Sequence, residues 1–254
     1  MASTRWFSRL ALGAALCLGA ITASYAQPCL TAGNVLVDPG FELQTPPAQG
    51  GWTSYGYFSN QYAHTGSASM FNATYWDVSV TFQHFPAAPG SQWQLTGYGY
   101  TPVQLVGDPL KLFGIVQVSF FDLLGNDLGT VETAGGPVKA KVSNAVDATT
   151  PVNTWTFLDT GVATAPAGAA YIYAFTVFVG FDGPPAPPAP WQGVYFDDLN
   201  LKVLGVNHGQ YVASIAQNEA ALARAGFSTG AQPSAMVAAA ARSNAGKPSC
   251  PAGQ

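Results

Sequence analysis

QWQLTGYGY, Gln92 to Tyr100, is the stretch whose reading decides the fold class. Trp93 and Leu95 fall on one side of an extended chain, and Gln94, Thr96, Tyr98 and Tyr100 on the other. That period of two belongs to a strand with one face against a core. Gly97 and Gly99 either make room on the opposite face for another layer or mark a bend. The pattern recurs in DVSVTFQHF (77–85), where Val78, Val80 and Phe82 share a face. FGIVQVSFF, TWTFLDT, AAYIYAFTVFVGF and GVYFDDLNL follow, punctuated by turn chemistry such as LLGNDLG and TAPAGA. From Asn34 to Leu204 this makes eight to ten strands without a helix. Such a run predicts an all-β antiparallel β-sandwich rather than a βαβ fold. Alternation places Phe82, Trp93 and Trp155 in the core and makes His84, on the Val80–Phe82 face, a core histidine. The proline run GPPAPPAP (183–190) reads as an exposed, semi-rigid loop.

The two ends differ from this middle. Residues 1–26 read as a secretory signal: Arg5 and Arg9, an apolar run too short to span a membrane comfortably, and the small-x-small site Ser24-Tyr25-Ala26. Beyond Leu204, HGQYVASIAQNEAALARAGF carries apolar residues at helical spacing until Gly226, and QPSAMVAAAARSNAG forms a second helix closed by Gly246. The expected organisation is a leader (1–26), a sandwich (27–204) and a helical hairpin tail (205–254), packed as a cap or presented to a protein partner. Loss of the leader moves the formal charge from −4 to −6, which excludes nucleic acid as a natural partner. Cys29 and Cys250, one near each end of the exported chain, are expected to pair as a disulfide.

Catalytic signatures are absent from the sequence. There is no GxSxG, CxxC or HExxH, and no spacing groups the three histidines as metal ligands. His64 reads as a turn residue and His208 as a helix cap. Asp77, Asp108, Asp122 and Asp159 are too scattered in sequence to define a glycosidase pair. Between Leu43 and Gly107, by contrast, stand 13 aromatic residues and a single carboxylate, Asp77. Tyr and Trp offer large contact area with few rotatable bonds and a polar tip. Tyr98 and Tyr100, on the polar face of their strand, are the first candidates for ligand contact. Trp52, Tyr55, Tyr57 and Tyr62 are candidates for a rim loop, and Trp76 is a further candidate.

NVLVDPGFE (34–42), Trp52, HTGSAS (64–69), PGSQWQLTGY (89–98), APAGAAYIYAFTV (165–177) and YFDDLNL (195–201) occur in an order that resembles the jelly-roll carbohydrate-binding modules of the galactose-binding-like class. The resemblance covers roughly residues 34–204. It implies a structural calcium ion held by Glu42, Asp197 and backbone carbonyls near Gly40 and Gly66. Alternation points the same way: with Leu199 and Leu201 facing the core, Asp197 should share their side, where a carboxylate needs a cation or several donors. Calcium accepts such oxygen-only ligands. The other reading of these carboxylates is that they cap turn amides without metal. The resemblance also implies a glycan ligand, neutral or weakly charged, stacked on aromatic faces. The expectation is therefore a secreted, non-catalytic carbohydrate-binding protein, periplasmic or extracellular. The alternatives are a structural or adhesive scaffold, and a polysaccharide lyase or glycoside hydrolase. The C-terminal NHGQYVASIA (207–216) resembles a tail of secreted bacterial proteins.

Overall fold

The computed structural model describes residues 33–43, 51–74, 77–129, 140–181, 192–227 and 232–247. The leader, Cys29 and Cys250, Trp76 and the proline run lie outside the described residues, and with them the expected cleavage site and disulfide.

Among the described residues twelve strands form two antiparallel sheets. In chain order they are β1 (Thr53–Ser54), β2 (Tyr57–Ser59), β3 (Ser69–Ala73), β4 (Val78–Pro86), β5 (Gln92–Tyr100) and β6 (Leu112–Phe121). Then come β7 (Asp127–Gly129), β8 (Lys141–Val142), β9 (Val146–Asp147), β10 (Thr156–Thr164), β11 (Tyr171–Gly180) and β12 (Gly193–Leu204). The first sheet runs β1-β4-β11-β6-β7, with β8 and β9 also paired to β6; the second runs β10-β5-β12-β3-β2. The longer strands β3, β4, β5, β6, β10, β11 and β12 switch sheet at every step, which is the jelly-roll pattern. Each late strand slots between two early ones, β11 between β4 and β6, β12 between β5 and β3.

β5 behaves as its alternation predicts: Trp93 and Leu95 are fully buried between the sheets. Gly97 and Gly99 keep their strand regular. A Cβ at Gly97 would strike the Leu199 side chain of neighbouring β12, and one at Gly99 would lie 2.8 Å from Val146 Cγ2 of the other sheet, so Gly97 admits its neighbour strand and Gly99 the facing layer.

β4 has the opposite phase from the expected one. Its inward residues are Ser79, Thr81 and Gln83, all buried, while Val78, Val80 and Phe82 are only half-buried and His84 is exposed on the outer face. Phe82 and His84 are therefore not core residues. Hydrogen bonding sets this phase. Gln83 donates from Nε2 to the Val37 carbonyl (2.6 Å) and accepts the Val37 amide (3.0 Å), lashing the N-terminal segment to the sheet. Thr81 shares a 2.7 Å hydroxyl contact with Ser54.

α1 (His208–Arg224) and α2 (Gln232–Arg242) form the expected hairpin, and it packs on the sandwich. Asn207 caps α1 through a capping box with Gln210. His208 does not cap; its Nδ1 meets the Ala245 carbonyl at 2.8 Å and joins the start of α1 to the end of α2. Tyr211, Ile215, Met236 and Ala240 enter the sandwich's own core, with the Tyr211 ring edge-on to Trp93 and its hydroxyl donating to the Pro86 carbonyl at 2.7 Å. The hairpin's apolar stripe is thus occupied, and a protein partner would have to meet its outward sides. Among the described residues no helix is long and apolar enough to cross a membrane.

Candidate functional site

The outer face of the second sheet carries a row of aromatic rings perpendicular to its strands. Tyr57 on β2 sits opposite Phe71 on β3, Phe71 opposite Tyr195 on β12, and Tyr195 opposite Tyr100 on β5. Trp155, just before β10, extends the row with its ring 5.0 Å from Tyr100. Five strands at about 4.8 Å spacing make the row about 19 Å long. Phe71 and Tyr195 are stacked at 4.4 Å, and Tyr62 leans over the middle, 4.9 Å from Tyr100 and 5.0 Å from Tyr195. Two amides sit among these rings: the Tyr195 hydroxyl donates to Gln61 Oε1 (3.0 Å) and the Tyr100 hydroxyl to Asn153 Oδ1 (3.1 Å). Burial, with Tyr62 adjacent, raises the pKa of both phenols above the ordinary tyrosine value.

Beside this row opens a cavity of about 420 Å³ whose lining includes Gln61, Tyr62, Phe71, Asn153, Gly193 and Tyr195. Concave, aromatic walls with a few fixed amides and hydroxyls are what a small-ligand site needs. Gly193 shapes the floor: a Cβ there would lie 2.6 Å from Ala73 Cβ, the Asn72 carbonyl oxygen and Phe71 Cε2. Gly193→Ala is expected to push β3 from β12, costing about 1–3 kcal/mol as overpacked sites do. Chemical denaturation checks it; an unchanged midpoint would mean that the strands part freely here.

At the Asp197 end of the same sheet lies an acidic corner. Asp38 and Phe41 adopt left-handed backbone (φ 49° and 57°), held by the Asp38 carboxylate, which accepts the amides of Glu42 (2.8 Å) and Leu43 (2.9 Å). Phe41 is thereby buried against Trp52, and Glu42 is aimed at the next turn. Glu42 accepts the amides of Ser67 (2.9 Å) and Ala68 (3.1 Å) and the Ser67 hydroxyl (2.7 Å). Asp197 accepts the amides of His64 (2.7 Å), Thr65 (3.2 Å) and Asp198 (2.7 Å). A Cβ at Gly40 would be 3.6 Å from Asp197 Oδ1, 3.8 Å from Asp198 Oδ1 and 3.9 Å from Glu42 Cγ, while one at Gly66 would collide with Glu42 Oε1. Asn34 ties this corner's first segment to β12, donating to the Leu199 carbonyl and accepting the Leu201 amide.

Asp197 reaches the corner by a route that simple alternation misses. β12 carries a bulge between Asp197 and Asn200, with Asp198 left-handed (φ 48°). The extra residue reverses the phase: Asp197 pairs with Tyr98 on the outer face, while Leu201 pairs with Leu95 on the core face. Asp197 is fully buried all the same, under the His64–Thr65 turn. Burial pushes its carboxyl up to about 7, with adjacent Asp198 adding to the rise against the pull of three amides. Asp198 engages His64 Nδ1 at 2.6 Å and accepts the Thr65 hydroxyl at 2.6 Å. The His64 ring stacks on Tyr98 at 3.8 Å, joining the corner to the aromatic face. The Glu42 and Asp197 side chains offer only oxygens, the type calcium takes, and each of these oxygens already accepts an amide or hydroxyl hydrogen. No group of three or more His, Cys, Asp or Glu side chains poised for a metal exists among the described residues, so backbone carbonyls would have to complete the shell.

The candidate ligand residues divide. Tyr57 and Tyr62 stand on the aromatic face, and Tyr98 stands beside it under His64. Tyr100 is on that face but only 7% exposed, because Tyr62, Tyr195 and Trp155 enclose it; it supports the platform. Trp52 is not a rim residue: it is 4% exposed, packs on Phe41, and its indole N–H donates to the Asp38 carbonyl. Tyr55 is 70% exposed beyond β1, next to the first sheet's β4 rather than in the row. Trp155, expected in the core, belongs to the row. Phe71, Tyr195, Gln61 and Asn153 went unselected. Period two placed Tyr195 opposite core-facing Phe196, so it was readable; Asn153 and Gln61 lie in loops, where sequence carries no phase.

The fold and face define a jelly-roll sandwich with an aromatic platform on one sheet. No family of sequences and no curated protein matches the chain. Among solved structures, the CBM22-1 xylan-binding domain of Paenibacillus barcinonensis Xyn10C is 14% identical, with a TM-score of 0.42 over 69% of this chain and 98% of that domain. TmCBM61, solved with beta-1,4-galactotriose, is 14% identical, with a TM-score of 0.38 over 67% of this chain and 98% of that one. The enzymatically active domain of bacteriophage CBA120 tailspike protein 4 is 14% identical, with a TM-score of 0.44 over 67% of this chain; the match spans only 21% of the tailspike chain.

Proposed function

We propose that this protein is an exported, non-catalytic glycan-binding protein whose ligand lies across the Tyr57–Phe71–Tyr195–Tyr100–Trp155 row. The row is the single observation that carries the reading. Its rings span the sheet, with Gln61 and Asn153 among them to meet hydroxyl groups. Uncharged amides and phenols suit a neutral or weakly charged sugar chain better than a polyanion, which an acidic protein repels. Tyr57 is 58% exposed and offers its ring to solvent at one end. Calcium belongs to the same proposal as a structural ion at Glu42 and Asp197, with carbonyls near Gly40 and Gly66. Its contribution would be to offset the buried charge of Asp197, away from the sugar.

Affinity electrophoresis in gels containing soluble neutral polysaccharides tests the reading. Retardation is expected, and Tyr57→Ala or Tyr62→Ala should each weaken it roughly 3- to 10-fold, the range of one aromatic contact. These two are better probes than Tyr100, whose truncation would also open a hole beneath the platform. A blank result across a broad glycan array would overturn the proposal in favour of a scaffold role. Release of reducing or unsaturated ends from any polymer would replace binding by catalysis.

A further inference from the structure

The opposite face of the molecule, the outer side of the first sheet, has a composition that the glycan reading leaves unused. Fifteen outward positions on β4, β11 and β6 include no Asp, Glu, Lys or Arg, and apolar or aromatic side chains hold all but His84, Gln117 and Ser119; most are half-buried among one another, and Pro86, Ile115, Ser119 and Val177 are buried. Phe82, Tyr173, Phe175 and Phe121 make its centre, with Tyr173 4.4 Å from Phe121 and 5.6 Å from Phe82. β4 even turns its hydroxyl and amide side chains inward and its apolar ones outward, the reverse of a solvated sheet face. From this we propose that the face is a self-association surface, its occupant a second copy of this chain packed sheet on sheet.

Three features select that occupant. First, eight residue steps along three strands give about 27 by 14 Å, and Tyr55 and Val142 on flanking strands widen the face to about 500 Å². Two copies together then bury about 1,000 Å², the lower limit of a specific interface, so the dimer is concentration-dependent. Second, an uncharged aromatic centre with Asp127 and Asp147 at its edge has the core-and-rim anatomy of an interface and is complementary to itself. Third, the rings pack on one another, His84 on Tyr173 at 4.9 Å and Tyr173 on Phe175 at 5.8 Å, with few hydroxyls between to hold a sugar. The absence of Lys and Arg from the face argues against an anionic membrane. Paired in this way, the two copies would present their Tyr57–Trp155 rows outward on opposite sides.

Sedimentation equilibrium of the purified protein across the micromolar range tests the pairing directly. A monomer–dimer equilibrium is expected, weakened at least about tenfold by Phe82→Asp, which places like charges across the symmetric interface. The same variant should retain its retardation on polysaccharide gels and its melting temperature within a few degrees, which separates failure of the dimer from failure of the glycan reading. A wild-type chain that stays monomeric throughout overturns the proposal without recourse to any variant. So does a dimer that Phe82→Asp leaves intact but Tyr57→Asp, on the opposite face, dissociates. A monomer that instead cosediments with insoluble cellulose or chitin in a Phe82-dependent manner would assign the face to a flat polysaccharide and equally overturn it.

Discussion

Stability in chelator is expected to fall as pH rises from about 4 to 7, and calcium is expected to offset most of that fall. The carboxyl responsible is Asp197, fully buried, its pKa raised from 3.8 to about 7 chiefly by burial. Between those values the folded protein holds a proton that the unfolded chain has released. Stability from this group is therefore complete below the unfolded value, declines through the window, and is flat above about pH 7. The decline is at most about 4 kcal/mol at 1.36 kcal/mol per unit. A bound calcium ion competes with that proton, so in calcium the folded carboxylate gives up its proton at lower pH and the decline is cut short. At free calcium 100 times its Kd the gain is about 2.7 kcal/mol, or roughly 5–10 °C in Tm. Burial also raises Asp38 and Glu219, so the informative quantity is wild type minus Asp197→Asn, measured by calorimetry at pH 5 and pH 8 with EDTA or calcium. Asparagine should abolish both the chelator slope and the calcium response. Identical melts with and without calcium at pH 8 would leave Asp197 as a cap on the amides of His64, Thr65 and Asp198, and nothing more.

Asp197 also shows where sequence stops being legible. Trp93 and Leu95 fell inward as their spacing requires, because β5 is central and its core face has no competing claim. The helical hairpin was readable because helix spacing and the glycine stops at Gly226 and Gly246 agree, and both glycines take positive φ. β4 was misread because hydrophobicity pointed one way and hydrogen bonding the other. Gln83 and Thr81 found partners inside, and an inward polar residue with partners costs little. β12 reads wrongly by alternation because a one-residue bulge inverts every position beyond it, and its left-handed residue is not a glycine but Asp198, of a type that enters that region more readily than most. Glu42 stood out by its motif, but the reason for its aim is Asp38, whose carboxylate closes the turn before it. The aromatic row was half legible. The tyrosines of β5 announced a face, while Phe71, Tyr195 and Trp155 joined it only when the registers of four strands were known.

Removing the carboxylate of Glu219 should stabilise the protein. Glu219 lies on the stripe of α1 that carries Tyr211 and Ile215 into the sandwich, and it is 2% exposed. Neither of its oxygens has a hydrogen-bond partner. The Tyr171 phenol on β11 is an ionisable neighbour and cannot offset a negative charge. Burial accordingly raises its pKa, and the sign matches that of Asp197: protonation favours the folded state, and stability is lost as pH climbs through the folded value. Glu219→Leu replaces an unpaired buried acid by an apolar side chain suited to its neighbours, for a gain of about 1–3 kcal/mol, or roughly 3–10 °C in Tm at pH 8. Glu219→Gln removes the charge but keeps an amide in need of partners, so its gain should be smaller. Both gains should shrink toward pH 4, where the wild-type carboxyl is already neutral. Loss of stability in Glu219→Leu at pH 8 would mean instead that the carboxylate holds a cation at the seam. α1 meets the sandwich beside this residue, with Tyr211 donating to the Pro86 carbonyl and Asn218 to the Ala169 carbonyl, so the hairpin is the element that ionisation of Glu219 would weaken.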